Sequence, residues 1–188
     1  MQVLEWDKFI KDGLPEAGTA VTVGVFDGVH KGHKALIDRI VNFDRQVVPL
    51  VVTFEQTHKK AIEILSFRQK LALFESLGVG IVIIARMSDS FKRLSGEEFI
   101  NILRNRAGMK YMALGKNFCC WYRRDTDAQK IEELNLAHGI KTDILDEITE
   151  GGAPISSSRV RAAIMAGDID EAEALLGRPF VLDPDGEA

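Results

Sequence analysis

Hydrophobic residues fall into five short runs that alternate with segments of helical spacing. The runs are rich in β-branched residues, have lengths that suit buried strands, and cover residues 21–26, 47–54, 79–85, 109–114 and 140–148. Between them, apolar residues recur three or four positions apart, as on one face of a helix. This alternation with short connections predicts βαβ units on a mostly parallel sheet, with helices on both faces.

Several predicted helices carry start signals. Capping boxes, in which a polar residue and a Glu or Gln three positions later satisfy each other's backbone N–H groups, begin at Ser66, Ser95 and Asp168. Residues 1–18 mix apolar and charged positions and are predicted to be a short lead-in. We find no internal repeat and no linker, so residues 1–188 are expected to form a single α/β domain with five strands.

Composition narrows the class of protein. With 46% hydrophobic and 28% charged residues, the chain resembles an ordinary soluble domain. Its net charge of −4 gives no indication of nucleic-acid binding. The N-terminus lacks the features of a signal peptide, and no apolar run approaches the roughly 18 residues of a membrane span. The adjacent Cys119 and Cys120 form neither a disulfide framework nor a zinc pattern, so we expect a cytoplasmic protein without membrane or nucleic-acid partners.

The segment after the first strand carries the clearest chemistry. Residues 24–33 are Gly-Val-Phe-Asp-Gly-Val-His-Lys-Gly-His, and a helix follows them. A glycine-bearing turn between strand and helix is a common phosphate site, because the helix N-terminus offers free N–H groups and a positive dipole end. Gly32 allows close approach. His30 and His33 could donate hydrogen bonds to phosphate oxygens during group transfer.

Two simpler explanations would also account for this histidine pair. The pair could bind a metal, but such a site needs a third and usually a fourth ligand, and His58 and His138 are the remaining histidines. Both histidines could instead lie on the surface of a helix start. The coincidence with Asp27 and the two glycines favours the phosphate interpretation, and no metal is expected on the pair.

A second polar motif lies near the end of the chain. Residues 155–161 are Ile-Ser-Ser-Ser-Arg-Val-Arg and open a helix. A serine cluster in this position can be a cap alone. Hydroxyls, free N–H groups and a guanidinium would also suit a polyphosphate, which makes Ser157, Ser158 and Arg161 candidate ligands.

Both motifs resemble those of a known superfamily. His-x-Gly-His and Ile-Ser-Ser-Ser-x-x-Arg are similar to signatures of the nucleotidyltransferases related to class I aminoacyl-tRNA synthetases. The letters around the histidines resemble the FMN adenylyltransferase domain of bacterial FAD synthetases. The resemblance covers about residues 19–181. Residues 175–180 resemble the passage into the riboflavin kinase domain, and since eight residues remain after Phe180, we expect no kinase domain.

The resemblance implies a Rossmann-like fold and the reaction of ATP with FMN to give FAD and pyrophosphate. It implies catalytic roles for His30, His33 and Arg161, and ATP contacts from Phe26, Asp27, Gly28, Gly32, Ser157, Ser158 and Arg161. The flavin or other acceptor would contact Thr53, Gly115, Asn117, Phe118 and Trp121. Mg²⁺ would arrive with ATP.

A nucleotide-binding strand order of 3-2-1-4-5 would bring these residues together. Strands one and four then flank the topological switch point of the sheet. In such folds, ligands bind at this point, outside the carboxyl ends of the strands. The loop after strand one would face the loop after strand four, and the helix of the second motif would close the same edge.

Two loops depart from the family pattern. Residues 53–58 are Thr-Phe-Glu-Gln-Thr-His where the family resembles Thr-Phe-Glu-Pro-His-Pro, and residues 115–121 end in Cys-Cys-Trp where an aromatic and a glycine are usual. The ATP half is therefore nearly intact and the acceptor half is altered. Two alternatives stay open: a nucleotide- or flavin-binding protein without turnover, and a nucleotidyltransferase with another phosphorylated acceptor.

Overall fold

The computed structural model describes residues 1–14, 18–54, 63–120 and 126–182. Trp121 and the altered residues 55–60 lie outside these ranges. In chain order, the elements are β1 (Gln2–Glu5), α1 (Trp6–Asp12), β2 (Thr19–Val23), α2 (Lys31–Val41), β3 (Val48–Phe54), α3 (Phe67–Ser76), β4 (Ile81–Ala85), α4 (Asp89–Lys92), α5 (Gly96–Arg106), β5 (Met109–Gly115), β6 (Cys119–Cys120), β7 (Thr126–Asp127), α6 (Ala128–Leu136), β8 (Lys141–Leu145), β9 (Thr149–Glu150), β10 (Ala153–Pro154), α7 (Ser157–Ala166) and α8 (Ile169–Leu176).

The principal sheet is parallel and has six strands in the order β1-β4-β3-β2-β5-β8. The five predicted strands are all present, and their order 3-2-1-4-5 is confirmed. The predicted number of strands was wrong, because Gln2–Glu5, expected to be a lead-in, pairs with Ile81–Ile84 at the sheet edge. Three of its four residues are exposed, so this strand lacks the apolar run that marked the others.

Helices cover both faces of the sheet, as predicted. One core is formed with α1, α5 and α6, where Trp6 stacks on Phe99 at 5.3 Å between ring centroids. The other is formed with α2, α3, α7 and α8 and contains Phe26 and Phe74. The α/β Rossmann-like fold is thus confirmed. Within the described ranges, no helix has the length and hydrophobicity needed to cross a membrane.

The predicted capping signals form real caps. At Ser66 and Ser95 both halves of the capping box are present. Asp168 caps α8 by accepting from the Glu171 N–H. At the start of α7, Ser156 is the cap and accepts from the Arg159 N–H, which leaves the hydroxyls of the next two serines available for other contacts.

Candidate functional site

A cavity of about 260 Å³ lies at the carboxyl ends of β2, β5 and β8. Its wall includes residues from the loop after β2, the first turn of α2 and the loop after β5, among them His30, Gly32, His33, Gly115, Asn117 and Phe118. Ile155, the first residue of the second motif, also lines it. The structure therefore brings the two sequence motifs to the predicted switch point of the sheet.

The loop from β2 to α2 has an unusual backbone. Phe26 and Val29 have positive φ angles of 54° and 41°, and Gly28 has a φ of 79°. Such angles are uncommon for residues with a side chain, and least favourable for a β-branched one. A Cβ on Gly28 would lie 3.0 Å from the Ile64 side chain, so both the angle and the packing favour glycine. Non-glycine residues held in this region often mark functional sites.

His30 is the N-cap of α2. Its Nδ1 accepts a hydrogen bond from the His33 backbone N–H at 3.3 Å. An acceptor nitrogen carries no proton, so the proton of the neutral ring lies on Nε2. Burial lowers the pKa of His30 to about 4, with a smaller lowering contribution from Arg178 and an opposing one from Asp27. At neutral pH, His30 is therefore an uncharged ring that offers one donor, Nε2–H.

His33 stacks on His30. Their ring centroids lie 3.7 Å apart with planes 16° from parallel, and the Phe26 ring meets His33 edge-on at 5.1 Å. Burial, followed by the neighbouring His30 and Lys70, lowers the pKa of His33 well below its ordinary value. A Cβ on Gly32 would lie 3.2 Å from the His30 ring. Gly32, which is predicted to contact ATP, thus also leaves room for the stacked imidazoles.

Asp27 joins the two motifs. Its Oδ2 accepts from Arg161 Nη2 at 2.7 Å, its Oδ1 from the Ile64 N–H at 3.2 Å, and its carbonyl from the Ser157 hydroxyl at 2.8 Å. The carboxylate predicted to contact ATP is therefore 5% exposed and bonded within the protein. Arg161 Nε is buried without a partner among the described residues, and Ser158 is exposed on the first turn of α7.

The described residues that were predicted to contact the acceptor lie in two places, at the cavity wall and beneath the loop after β2. Asn117 Nδ2 donates to Glu147 Oε1 at 2.6 Å at the cavity wall, and the Phe118 N–H donates to the Gly115 carbonyl at 2.9 Å. Thr53 is fully buried beneath the loop after β2, where its hydroxyl donates to the Val25 carbonyl at 3.1 Å. Trp121 lies outside the described residues. Gly115, which ends β5, and Asn117 and Phe118, which follow it, therefore meet the histidine motif at the cavity, whereas Thr53 lies beneath the loop after β2.

Two basic residues near the motif were missed by the sequence analysis. Lys70 is 5% exposed and its Nζ lies 3.4 Å from the Val25 carbonyl. Burial lowers its pKa, against the effect of Glu63 and Asp27. Arg178 donates to the carbonyls of Gly28 and Val29 at 2.7 and 3.0 Å. The available signal for Lys70 was its place four positions before the core Phe74. Arg178 lies within residues 175–180, whose resemblance pointed only to the passage into a kinase domain.

Known proteins share this sequence pattern. A family model described as FAD synthetase matches residues 14–159. The bifunctional riboflavin kinase/FMN adenylyltransferase of Escherichia coli (strain K12) is 30% identical over 178 residues, covering 89% of this chain and 57% of that relative. The enzyme of the same name from Pseudomonas fluorescens is 31% identical over 172 residues, with 87% and 55% covered. The chain thus spans little more than half the length of these relatives, and the expected absence of a kinase domain stays a prediction.

Solved structures support the fold. A Streptococcus pneumoniae structure described as a macrolide-efflux protein superimposes with a TM-score of 0.82 at 24% identity, covering 96% of this chain and 63% of the other. Thermotoga maritima TmcAL bound with alpha-thio ATP superimposes with a TM-score of 0.53 at 12% identity, covering 94% and 53%. At such identities, the likeness concerns the architecture and not the reaction.

Proposed function

Because the chain belongs to the FAD synthetase family, we propose that it transfers the adenylyl group of ATP to FMN, giving FAD and pyrophosphate. The family predicted from the sequence is confirmed by the match over residues 14–159. The relatives also carry a kinase activity in their names, and the proposal concerns only the adenylyltransferase part. We further propose that the protein works in the cytoplasm on small nucleotides.

The reaction needs no covalent intermediate with the protein. A phosphate oxygen of FMN attacks the α-phosphorus of ATP and forms the new P–O bond. The bond from the α-phosphorus to the oxygen that bridges to the β-phosphorus breaks, and pyrophosphate leaves with that electron pair. The protein has to align the two phosphates and neutralise the charge that develops on the oxygens.

The observation that carries the proposal is the stacked pair of neutral imidazoles at the start of α2. The capping bond of His30 occupies Nδ1 and leaves the proton on Nε2. The His33 ring lies on it, with 3.7 Å between the ring centroids, and both rings line the cavity. Neutral donors held in place by burial stabilise a developing oxyanion without first losing a hydration shell. In the proposed role, His30 and His33 bind the ATP phosphates around the α-phosphorus, and Phe26 and Gly32, which line the same cavity, lie against the nucleotide. Gly28, which packs against Ile64, would act by shaping the loop.

The second motif would hold the leaving pyrophosphate. Arg161 uses Nη2 to pair with Asp27, and a guanidinium has five N–H donors. The Arg161 Nε is buried without a partner among the described residues. We propose that the N–H groups not used by Asp27 serve the β- and γ-phosphates together with the Ser158 hydroxyl. Ser157 would contribute its backbone N–H at the start of α7, because its hydroxyl donates to the Asp27 carbonyl. Asp27 would then act by aiming Arg161.

The acceptor would lie on the opposite wall of the cavity. Gly115, Asn117 and Phe118 line this wall, and Asn117 is oriented by its 2.6 Å bond to Glu147. In the proposal, these residues and Trp121 contact FMN, and Thr53 holds the loop between acceptor and nucleotide. The altered sequence around Trp121 is the specific reason to keep another phosphorylated acceptor as a second candidate.

Magnesium is proposed to arrive with ATP. Mg²⁺ keeps several waters and commonly bridges substrate phosphates. Across residues 1–14, 18–54, 63–120 and 126–182, no group of three His, Cys, Asp or Glu side chains comes close enough to hold a metal ion. The described donors therefore do not fit an ion held by the protein alone, and no step is assigned to one.

A pyrophosphate-release assay tests the function. The purified chain is supplied with ATP or CTP, each combined with FMN, with other phosphorylated acceptors or with no acceptor. The proposal predicts release with ATP and FMN together. Release with ATP and a different acceptor would identify a nucleotidyltransferase of other specificity. Nucleotide binding without release in any combination would identify a binding protein and contradict the proposal.

A further inference from the structure

The five consecutive carbonyls of residues 25–29 all accept hydrogen bonds. The donors to the first three are the Thr53 hydroxyl and Lys70 Nζ for Val25, the Val29 N–H for Phe26, and the Ser157 hydroxyl for Asp27. The last two carbonyls, of Gly28 and Val29, share one donor group, the guanidinium of Arg178. The conformation of the loop is therefore imposed by side chains from several different elements.

Arg178 acts on the part of the loop that leads directly into His30. The Val29 carbonyl belongs to the peptide whose nitrogen is that of His30, so its orientation sets the backbone from which the imidazole projects. Val29 itself has a φ of 41°, which a β-branched residue adopts only when its surroundings enforce it. Two donors in the planar fork of one guanidinium fix both carbonyls relative to each other.

Arg178 is itself held from both sides. Gly177 ends α8 in the left-handed conformation with a φ of 68°, and a Cβ there would lie 3.1 Å from Lys31 Cγ. Beyond Arg178, the Phe180 N–H donates to Glu173 Oε1 at 2.9 Å, and Gln69 Nε2 donates to the Val181 carbonyl at 3.1 Å. The guanidinium therefore approaches the loop from an anchored segment.

We propose that Arg178 is a positioning residue for the adenylyl-transfer site: its guanidinium holds the Gly28 and Val29 carbonyls and thereby aims His30 Nε2–H at the reacting phosphates. This inference rests on the proposed function. It makes the segment after α8 part of the catalytic apparatus, although Arg178 lies outside both nucleotide motifs. It also separates Arg178 from Arg161, which is proposed to contact the substrate directly.

The kinetic test compares Arg178→Ala and Arg178→Lys with the parent. An exposed arginine on another part of the surface, Arg93, is replaced by Ala as the matched control. Because a small misplacement of a catalytic group can cost up to about 10²-fold in rate, we expect Arg178→Ala to lower kcat about 10-fold or more, with smaller changes in KM for ATP and FMN. Arg178→Lys keeps the charge but loses the two-donor fork, so its kcat should lie between those of the parent and Arg178→Ala. Millimolar guanidinium should restore part of the activity of Arg178→Ala and leave Arg93→Ala unchanged.

A substrate-free measurement keeps the inference separate from the proposed function. In ¹H–¹³C spectra of the imidazoles, Arg178→Ala should shift the His30 and His33 signals and leave the His138 signal in place. If Arg178→Ala does not fold, Arg178→Lys is used for both measurements. A parent without turnover contradicts the function, while shifted His30 signals would still support the positioning. Parental kcat in the variant, or unshifted His30 signals in a folded variant, would overturn the role of Arg178.

Discussion

The Asp27 carboxylate and the Arg161 guanidinium lie 2.7 Å apart although 134 positions separate them in the chain. Asp27 belongs to the histidine motif at the start of α2, and Arg161 belongs to the first turns of α7. The ion pair therefore joins the two motifs that are proposed to hold opposite ends of the triphosphate. Its two partners differ in burial, because the Asp27 side chain is 5% exposed and that of Arg161 is 26% exposed.

This difference predicts which half of the pair is costlier to remove. Arg161→Met leaves a buried carboxylate without its cation, and we expect it to lower the free energy of unfolding by about 1–3 kcal/mol. Asp27→Asn leaves a partly exposed guanidinium that water can reach, so this variant should lose less unfolding free energy than Arg161→Met. Urea unfolding of both variants and of the double variant measures this. The double variant should lose less unfolding free energy than the two single variants lose together. Equal losses in the single variants that add up in the double variant would contradict the pairing.

Replacing His30 in two ways separates its capping role from its proposed catalytic role. Asn is a good N-cap whose side-chain oxygen can replace Nδ1 as the acceptor, but it cannot replace the Nε2–H donor. We expect His30→Asn to fold like the parent and to lower adenylyl transfer about 10²-fold or more, the effect of losing one oxyanion donor. His30→Ala should show the same loss of rate and also lose about 1 kcal/mol of stability with the cap.

Turnover and urea unfolding of the two His30 variants check this prediction. Near-parental turnover in His30→Asn would remove His30 from the catalytic group. Equal stability of the Asn and Ala variants would show that the capping bond contributes little.

The five buried strands of the main sheet, and the sheet edge at which the two motifs lie, could be predicted from the sequence. The contacts between the residues of the candidate site could not. Buried strands are visible because each is an apolar run, whereas the exposed edge strand at residues 2–5 left no such signal. The histidine and serine motifs are visible because their residue types sit at a strand end and a helix start. The bonds of Asp27 to Arg161 and of Arg178 to Gly28 were not, because they join residues 134 and 150 positions apart. Lys70 was missed because a charged residue on a helix is usually solvated.

The lowered pKa of His30 predicts an unusual pH dependence of stability. The ring is neutral in the folded protein down to about pH 4, whereas the unfolded chain binds its proton near pH 6.5. The unfolded state therefore holds more protons between these pH values, and stability rises with pH across that window. Going down from pH 6.5 to pH 4, the parent should lose about 3 kcal/mol more than His30→Asn. Urea unfolding of both proteins at several pH values tests this, and parallel pH profiles would show that His30 is not buried as a neutral ring.

Gly32→Ala should separate stability from activity. A Cβ at this position would lie 3.2 Å from Cε1 and Nδ1 of the His30 ring, so the ring must move by a few tenths of an ångström. Alanine favours the helix by up to about 1 kcal/mol over glycine. We expect unfolding free energy equal to or above that of the parent, together with about a 10-fold or greater loss of turnover. Thermal unfolding and initial rates measure the two effects, and an active variant would show that the stacked geometry is not needed.

The fate of the ATP phosphorus atoms tests the central proposal most directly. The purified chain is incubated with FMN and with ATP labelled with ³²P at either the α- or the γ-position, and the products are separated by chromatography. Adenylyl transfer predicts that the α-label appears in FAD and the γ-label in pyrophosphate, both at a rate that falls with His30→Asn. An α-label that remains in ATP or appears only in ADP or AMP, with no labelled FAD, would contradict the account.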